Sequence, residues 1–420
     1  MNSDAAGSWH GIAAEHLHAM AQQHGTPFYL YDADAINASI TRVRDLFGGL
    51  ARVYYAVKAN PNLALLRAVY GNADGLDISS GGELQQALAA GYAGAQLSFA
   101  GPAKTGAELE ASIQHGVGCI SVESTRELHA CIDIAMRTGS MANIVLRINP
   151  LLQIRAFGLK MGGKAVQFGI DEEDLGAALE TVAAHAAQLN FRGIHIYAGS
   201  QCFEPSGVVE GVKNTFRIVN EIERNSRLHC AVVNLGGGFG VSHSEQGREL
   251  DLAATAAGLV PLLREFSAAP GAPRQLIFEL GRFLTAQAGV YIARIVSSKE
   301  SRGKTFFVAD GGLHHHLSAA GTFGAAFRSN FVLRNLTRPE APLVRCTIAG
   351  PSCNPTDLLG VDVDIAHPQL GDLIAVLGSG SYGFTASPLL FLGRDTPAEL
   401  VCQRGEISLA RRARSVTEFN

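Results

Sequence analysis

Short apolar runs alternate with amphipathic, alanine-rich stretches over the first two thirds of the chain, from about residue 26 to residue 284. Runs of roughly 4–8 residues rich in β-branched and aromatic side chains predict strands, and the stretches between them predict helices. The predicted strands are 27–32, 52–57, 75–79, 95–100, 118–123, 143–149, 192–197, 231–236 and 275–280. The predicted helices include 35–46, 63–70, 82–90 and 207–224. Strands that alternate with helices at this spacing indicate βα units and a parallel sheet.

About eight βα units over ~250 residues is the size of a (β/α)8 barrel, so we predict an α/β fold with an N-terminal TIM-like barrel. A doubly wound open sheet is the alternative. After residue 284, strand-like runs follow one another with few helical patterns, at 290–296, 305–311, 343–350, 372–378 and 398–403. This pattern predicts a C-terminal antiparallel β-sandwich or β-barrel domain. We expect the N-terminal segment to join it, which gives a barrel over 34–284 and a β domain from 1–33 and 285–420.

The composition narrows the class of protein. A chain of 420 residues is too long for one ordinary core, and 47% hydrophobic with 17% charged residues is typical of a globular enzyme. The net charge of −4 provides no basic field for nucleic acid or an anionic membrane surface. No apolar run reaches the ~18–20 residues of a membrane helix. The polar N-terminus predicts no secretory signal, and seven scattered cysteines without a C-x-x-C pair predict a reduced, cytoplasmic protein.

Candidate chemistry lies at the carboxyl ends of the predicted barrel strands, where such barrels carry their active sites. Lys58 follows the run "VYYAV", and a partly desolvated lysine can form a Schiff base with an aldehyde, although a lysine that extends into solvent is the simpler interpretation. The turn 199–200 and the run Gly236–Gly238 offer backbone N–H groups to an anion. Glu279 and Arg282 end the last strand, where the arginine suits a phosphate. In this order on successive strands, these residues predict a pyridoxal phosphate site.

The chain resembles the fold-type-III pyridoxal-phosphate decarboxylases, which act on diaminopimelate, ornithine or arginine and are related to alanine racemase. The resemblance covers nearly the whole chain. It rests on "YYAVKAN", "LDISSGGEL", "RINP", "GSQ", "GGGFG", "ELGR", "GPSCNPTD" and "GSYGF". It implies a (β/α)8 barrel, a C-terminal β domain, pyridoxal 5'-phosphate as the cofactor, and an obligate homodimer with shared active sites.

The resemblance also implies a role for individual residues. Lys58 would carry the cofactor as a Schiff base, Glu279 would pair with its ring nitrogen, and Tyr197 would stack on its ring. Cys353 would enter from the partner subunit and return a proton to the substrate. The remaining positions implied to bind the cofactor are Asp77, Glu83, Arg147, His195, Ser200, Gly237, Gly238, Gly281, Arg282 and Tyr382. Those implied to bind the substrate are Asp310, His314, Cys353, Asn354 and Asp357.

Four departures from the family pattern bear on the substrate. Tyr197 replaces a common histidine, and Asn354 replaces an acidic residue that follows the cysteine. The run 310–324, "DGGLHHHLSAAGTFG", lacks the Arg-Pro pair of diaminopimelate decarboxylases. The run 387–394, "SPLLFLGR", stands where those enzymes carry a Tyr-Asn-Ser-Arg type of run. We therefore predict decarboxylation of a modified or carrier-protein-linked amino acid in a biosynthetic pathway. A decarboxylase of diaminopimelate or a free basic amino acid is the alternative, and a racemase is a third.

Three other classes of function have a counterpart in the sequence. "GSGSYG" at 378–383 matches a dinucleotide fingerprint, but Pro388 stands where a helix should follow. His314, His315 and His316 are metal-ligand types, but consecutive strand residues point to opposite faces, so we predict no metal site. A non-enzymatic pyridoxal-binding barrel would lack the β domain and the cysteine motif.

Overall fold

The computed structural model describes residues 8–244, 247–269, 273–321 and 329–419. The strands, numbered in chain order, are β1 Phe28–Asp32, β2 Arg52–Ala56, β3 Gly75–Ile78, β4 Leu97–Phe99, β5 Cys119–Val122, β6 Ala142–Asn149, β7 Phe157–Lys160, β8 Ile170–Asp171, β9 Leu189–His195, β10 Gly199–Cys202, β11 Val232–Gly237, β12 Gln275–Leu280, β13 Gly289–Ser301, β14 Lys304–Ala309, β15 Leu333–Asn335, β16 Leu343–Ala349, β17 Leu358–Ala366, β18 Leu373–Leu377, β19 Ala398–Gln403 and β20 Glu406–Arg411. The helices are α1 Ala14–His24, α2 Ala33–Leu46, α3 Leu63–Ala68, α4 Gly81–Ala89, α5 Gly106–Gln114, α6 Thr125–Thr138, α7 Leu175–Ala184, α8 Pro205–Asn225, α9 Leu252–Ala268 and α10 Arg282–Thr285.

Within the described residues, eight strands close into a parallel barrel. The ring runs β2, β3, β4, β5, β6, β9, β11 and β12, and β12 pairs with β2 to close it. Helices α3 to α9 follow the first seven of these strands in turn. The predicted (β/α)8 barrel is therefore confirmed, and the open-sheet alternative is wrong because the ring has no free edge. The predicted strand 27–32 forms β1, which lies in the other sheet.

Several barrel helices begin at side-chain caps that follow the strand ends. The Ser80 hydroxyl accepts a hydrogen bond from the backbone N–H of Glu83 at the start of α4. Thr105 and Glu108 form a reciprocal capping box at the start of α5. These caps satisfy N–H groups that a helix leaves unpaired in its first turn. They fix where each helix starts, and so fix the short loops that carry the candidate site.

The second sheet is mixed. Its main path is β17-β16-β14-β13-β1-β19-β20, and β18 pairs with β13 and β15. Most pairs are antiparallel, as predicted, but β1 with β19 and β14 with β16 are parallel. A hairpin makes the two strands that it joins antiparallel, and neither of these parallel pairs is joined by a hairpin. The core under this sheet includes Phe28, Leu30, Val290 and Ile292, and Trp9 from the N-terminal segment packs in the same cluster.

The chain divides into two compact units. The barrel unit comprises Asn37–Val241 and Arg248–Phe283. The β-domain unit comprises the described parts of Met1–Ile36, Ser242–Gly247 and Leu284–Asn420. Across the described ranges, every helix is too short or too polar to span a bilayer.

Candidate active site

Lys58 is held at the carboxyl end of β2 by a buried carboxylate on the next strand. It lies in a 3-10 turn, Val57–Ala59, directly after the strand. Ala56 on β2 pairs with Asp77 on β3, and this pairing brings the Asp77 side chain close to that of Lys58. Lys58 Nζ donates to Asp77 Oδ2 at 2.8 Å, and the Lys58 side chain is 42% exposed while that of Asp77 is fully buried. The lysine therefore forms a specific ion pair and does not simply extend into water.

The carboxylates beside Lys58 have raised pKa values. Burial raises the pKa of Asp77 to about 6, and the negative charge of Glu279 adds to the effect. Asp77 Oδ1 is buried without a hydrogen-bond partner. Burial also raises the pKa of Glu83 to about 7, and Glu83 Oε2 accepts a hydrogen bond from the Ser79 backbone N–H at 2.6 Å. The charge on Lys58 lowers the pKa of both carboxylates, so the amine and the two acids form one electrostatic cluster.

Glu279 lies inside the barrel, where three strands supply its polar neighbours. Ser98 Oγ on β4 donates to Glu279 Oε1 at 2.9 Å, and Asn234 Nδ2 on β11 donates to the same oxygen. His195 Nε2 on β9 lies 3.4 Å from Glu279 Oε2. Burial, with the charge of Arg147, lowers the pKa of His195 to about 3, so the imidazole is neutral near neutral pH. The arrangement keeps a carboxylate in a dry interior with hydrogen-bond donors around it.

Arg147 is fixed by a second buried network on neighbouring strand ends. Its Nη1 donates to Glu123 Oε1 at 2.8 Å. The Glu123 backbone N–H donates to Glu127 Oε2 at 2.7 Å, and Lys104 pairs with Glu127 Oε1 at 2.9 Å. These three partners, together with Ser98 and Asn234, were not identified from the sequence. Ser98, Glu123 and Asn234 had only the signal of a polar residue within or just after an apolar strand, whereas Glu127 in α6 and Lys104 before α5 had no such signal.

Glycines allow the loops after β9, β11 and β12 to approach closely. A Cβ on Gly237 would lie 2.1 Å from the Glu279 carbonyl oxygen. Gly238 has φ +82°, and its Cβ would lie 1.9 Å from the Gly199 carbonyl oxygen, beside Ser200 on β10. Gly281 would place a Cβ 2.9 Å from that of Ala59. The structure thus brings Gly281 next to the turn that carries Lys58, and it brings Gly237 and Gly238 next to Glu279 and Gly199. Of the other predicted positions, Tyr197 lies beside Gly236 and Arg282 begins α10.

The remaining predicted site residues belong to the β-domain unit. Asp310 follows β14 and accepts hydrogen bonds from Thr26 Oγ1 at 2.5 Å and the Arg294 backbone N–H at 2.8 Å. Cys353 is exposed, and Asn354 Oδ1 accepts from the Thr356 backbone N–H and hydroxyl. Tyr382 is partly buried with φ +53°, and Asp357 and His314 are buried. Residues 322–324 of the predicted substrate motif lie outside the described residues.

The alternative chemistries find little support in the geometry. Within the described ranges, no group of three or more His, Cys, Asp or Glu side chains is placed to hold a metal ion. The run 378–383 is followed by a 3-10 turn, Phe384–Ala386, where a dinucleotide fingerprint needs a helix.

A family profile described as "Pyridoxal-dependent decarboxylase, pyridoxal binding domain" matches residues 33–286. The chain belongs to the pyridoxal-dependent decarboxylase family. Membership makes it a carboxy-lyase that uses pyridoxal 5'-phosphate, as the sequence predicted. The fit is also chemical, because the barrel offers an amine for an aldehyde, a buried carboxylate for a ring nitrogen and glycine loops for a phosphate.

Individual relatives of this decarboxylase differ in their named substrates. It is 36% identical over 94% of its length to "L-glutamyl-[BtrI acyl-carrier protein] decarboxylase" of Niallia circulans, covering 92% of that protein. It is 29% identical over 87% of its length to a diaminopimelate decarboxylase of Bacillus subtilis, covering 84% of it. The crystal structure of diaminopimelate decarboxylase from Helicobacter pylori complexed with L-lysine matches with a TM-score of 0.85 and 28% identity, covering 96% of this chain and 98% of that one.

Proposed function

We propose that this decarboxylase acts on an amino acid attached through its side chain to a carrier protein, with an L-glutamyl group as the first candidate. The observation that carries the proposal is the similarity to a carrier-protein glutamyl decarboxylase, at 36% identity over 94% of the chain. The departures at Asn354 and at His314–His316 agree with it. A free diaminopimelate substrate has a charged far end, and Asn354 is neutral. The 29% identity to diaminopimelate decarboxylase makes that activity the second candidate.

In the proposed reaction, the barrel residues hold the cofactor and set the charges around it. Lys58 holds the cofactor covalently, and Asp77 and Glu83 stabilise its ammonium form when the amine is released. Glu279 keeps a proton on the cofactor's ring nitrogen, because a buried carboxylate favours a cation beside it. Because His195 is neutral, it adds no second positive charge beside the protonated ring nitrogen. Pyridoxal 5'-phosphate, when bound, supplies the electron sink that accepts the electron pair of the broken Cα–carboxylate bond.

The remaining predicted residues orient the cofactor and complete the reaction. Tyr197 offers a flat ring for stacking. After CO2 leaves, the partner subunit's Cys353 returns a proton to Cα. The phosphate is held by Ser200, Gly237, Gly238, Gly281, Arg282 and Tyr382, with Arg147 in the surrounding network. The proposal includes these assignments and a homodimer with shared active sites. It also includes the domain limits, which are 34–284 for the barrel and 1–33 with 285–420 for the β domain.

The test is CO2 release by the purified holoenzyme across a substrate panel. The panel contains an L-glutamyl thioester of pantetheine, the same group on an acyl-carrier protein, free glutamate, diaminopimelate, lysine, ornithine and arginine. We expect the thioesters to have the highest kcat/KM. If diaminopimelate has the highest kcat/KM, the substrate assignment is wrong.

Lys58→Ala tests the attachment point of the cofactor separately. We expect it to lose both CO2 release and the visible absorbance band of the bound cofactor, because no amine remains to bind the aldehyde. Lys213→Ala is the matched control, since Lys213 is an exposed residue of α8 outside the predicted site, and it should keep the band. A Lys58→Ala protein that retains the band would contradict the assignment.

A further inference from the structure

Gln201 joins two loops of the barrel unit through both ends of its side-chain amide. It lies in β10, directly after Ser200. Its Nε2–H donates to the Val241 carbonyl oxygen at 3.0 Å, and its Oε1 accepts from the Val241 backbone N–H at 3.0 Å. Val241 ends the run 237–241, which we call the glycine loop. The side chain of Gln201 therefore ties the turn that carries Ser200 to the far end of the glycine loop.

Backbone hydrogen bonds join the same two segments beside Gln201. The Cys202 N–H donates to the Gly238 carbonyl oxygen at 2.9 Å, and the Gly240 N–H donates to the Cys202 carbonyl oxygen at 2.7 Å. The Phe239 side chain is buried and packs against Phe278, with ring centroids 5.6 Å apart. The backbone bonds hold the middle of the glycine loop, and Gln201 holds its end.

The backbone of Gln201 has a conformation that glycine adopts more easily. Its φ is +59°, in the left-handed region where a Cβ is unfavourable. Residues in such conformations persist where the surrounding structure fixes them, and they are concentrated at ligand sites. A glycine at this position would relieve the backbone but lose both hydrogen bonds to Val241. The side-chain amide therefore provides something that the turn alone does not require.

Two successive backbone donors of the glycine loop point away from the contacts that hold it. Within the described residues, neither the Gly238 N–H nor the Phe239 N–H has a hydrogen-bond acceptor. Gly238 is left-handed, with φ +82°, and lies against the Gly199 carbonyl oxygen beside Ser200. Successive N–H groups around a left-handed residue form a concave site that binds anions. The glycine loop is therefore held in a shape that suits a phosphate.

We propose that Gln201 is a positioning residue for the phosphate of the cofactor. Its amide holds the glycine loop against the turn that carries Ser200, so that the N–H groups of Gly238 and Phe239 stay directed toward the anion. Gln201 acts through the backbone that it fixes and not through contact with the cofactor. This inference rests on the part of the proposed function that assigns the phosphate to Ser200 and to the glycine loop.

The first experiment compares the affinities of the apoenzyme for pyridoxal 5'-phosphate and for pyridoxal, which lacks the phosphate. Both ligands carry the aldehyde that Lys58 binds, so the ratio of their dissociation constants, which we call the phosphate preference, reports the contribution of the phosphate. Gln201→Ala removes both hydrogen bonds to Val241. We expect its affinity for pyridoxal 5'-phosphate to fall about 10-fold or more, and its affinity for pyridoxal to stay within about 2-fold. Titrations followed by absorbance measure both affinities.

Asn143→Ala is the matched control for the loss of an amide. Like Gln201, Asn143 is half-buried, and its side chain donates to the Val117 carbonyl oxygen at 3.1 Å and accepts from Asn190 Nδ2 at 2.8 Å. It lies at the amino end of β6, whereas Lys58 follows the carboxyl end of its strand. Both variants should lower the urea midpoint, but only Gln201→Ala should lower the phosphate preference. An equal fall of the phosphate preference in both variants would contradict a positioning role.

Gln201→Gly separates the side-chain amide from the left-handed backbone. Glycine adopts this conformation without a penalty, so the variant should be at least as stable toward urea as Gln201→Ala. It still lacks the two bonds to Val241, and we expect the same loss of phosphate preference. If Gln201→Gly keeps the phosphate preference of the unmodified protein, the inference is wrong. This variant also provides the test if Gln201→Ala is too unstable to titrate.

Ser200→Ala distinguishes a failure of this inference from a failure of the proposed phosphate site. If Ser200→Ala lowers the phosphate preference and the Gln201 variants do not, the inference is wrong while the proposed site stands. If none of these variants changes the phosphate preference, the phosphate assignment in the proposed function is wrong and the inference falls with it. A fall in the variants at both positions supports the two together.

Discussion

At the scale of single residues, His316 is hydrogen-bonded in a way that only the neutral imidazole can adopt. Nδ1 accepts from the Ala319 N–H, Nε2–H donates to Ser379 Oγ, and that hydroxyl donates to the Val376 carbonyl oxygen at 2.7 Å. A proton on Nδ1 would break the first bond and place a charge in a dry core. Burial accordingly lowers the pKa of His316 from 6.5 to about 3.

This predicts an acid-sensitive contribution to stability. The unfolded chain takes up a proton near pH 6.5 and the folded chain only near pH 3, so the folded state loses stability as pH falls through that window. For each pH unit within this window, the unfolding free energy changes by about 1.4 kcal/mol. Between about pH 6.5 and about pH 5, unmodified protein should lose ~2 kcal/mol more unfolding free energy than His316→Gln. Urea unfolding at several pH values measures the difference, and parallel pH dependences would refute the prediction.

Single residues also show what the sequence could predict. The positions of Lys58 and Glu279 at the ends of barrel strands could be predicted because each ends an apolar run, and their catalytic roles remain part of the proposal. Ser98 and Asn234 could not, because a lone polar residue in an apolar strand has many structural explanations. β11 pairs directly with β12, but only closure of the ring brings Ser98 on β4 into contact with Glu279 as well, and a local sequence pattern does not record that contact.

At the scale of elements, the loop after β11 depends on glycine. Gly238→Ala would force a left-handed conformation on alanine and press its Cβ to 1.9 Å from the Gly199 carbonyl oxygen, so the loop beside Ser200 must shift. Since the proposed function assigns this loop to the phosphate, we expect the affinity for pyridoxal 5'-phosphate to fall about 10-fold or more. Titration of apoenzyme with the cofactor, followed by absorbance, measures it.

The matched control is Gly139→Ala at the end of α6. Gly139 is also left-handed, with φ +63°, but a Cβ there would meet nothing within 4 Å. Alanine should therefore cost only the ~1–2 kcal/mol of the left-handed conformation, with cofactor affinity unchanged. Equal cofactor affinities for the two variants would show that close packing at Gly238 is not important for the phosphate loop.

Strand prediction was complete in the buried barrel and incomplete among the partly buried strands, of which β14 and β16 were predicted. All eight barrel strands were predicted, because a strand covered on both faces reads as a continuous apolar run. The strands β7 and β10 pair with each other outside the barrel ring, and β17 carries exposed aspartates, so none of them has that pattern. The predicted antiparallel domain contains parallel pairs because strand direction in a sheet depends on connections that a local pattern does not record.

At the scale of the whole molecule, the proposed homodimer predicts complementation between inactive variants. If each active site takes Lys58 from one subunit and Cys353 from the other, a mixture of Lys58→Ala and Cys353→Ala subunits contains heterodimers with one intact site. Random exchange makes half of the dimers heterodimers, each with one of its two sites intact, so the mixture should recover about a quarter of the full activity. The measurement is CO2 release after co-refolding or co-expression. Activity no higher than that of the separate variants would argue against shared sites.

The cysteines of this chain differ in their exposure to solvent. Of the seven cysteines, all within the described residues, six are buried and Cys353 is exposed. A thiol-reactive dye applied to the native protein should therefore attach at a single position, without any engineering of the chain. If Cys353 enters a neighbouring subunit, as proposed, the labelling rate should fall as the protein concentration rises. The protein would then report its own assembly through the reactivity of one natural side chain.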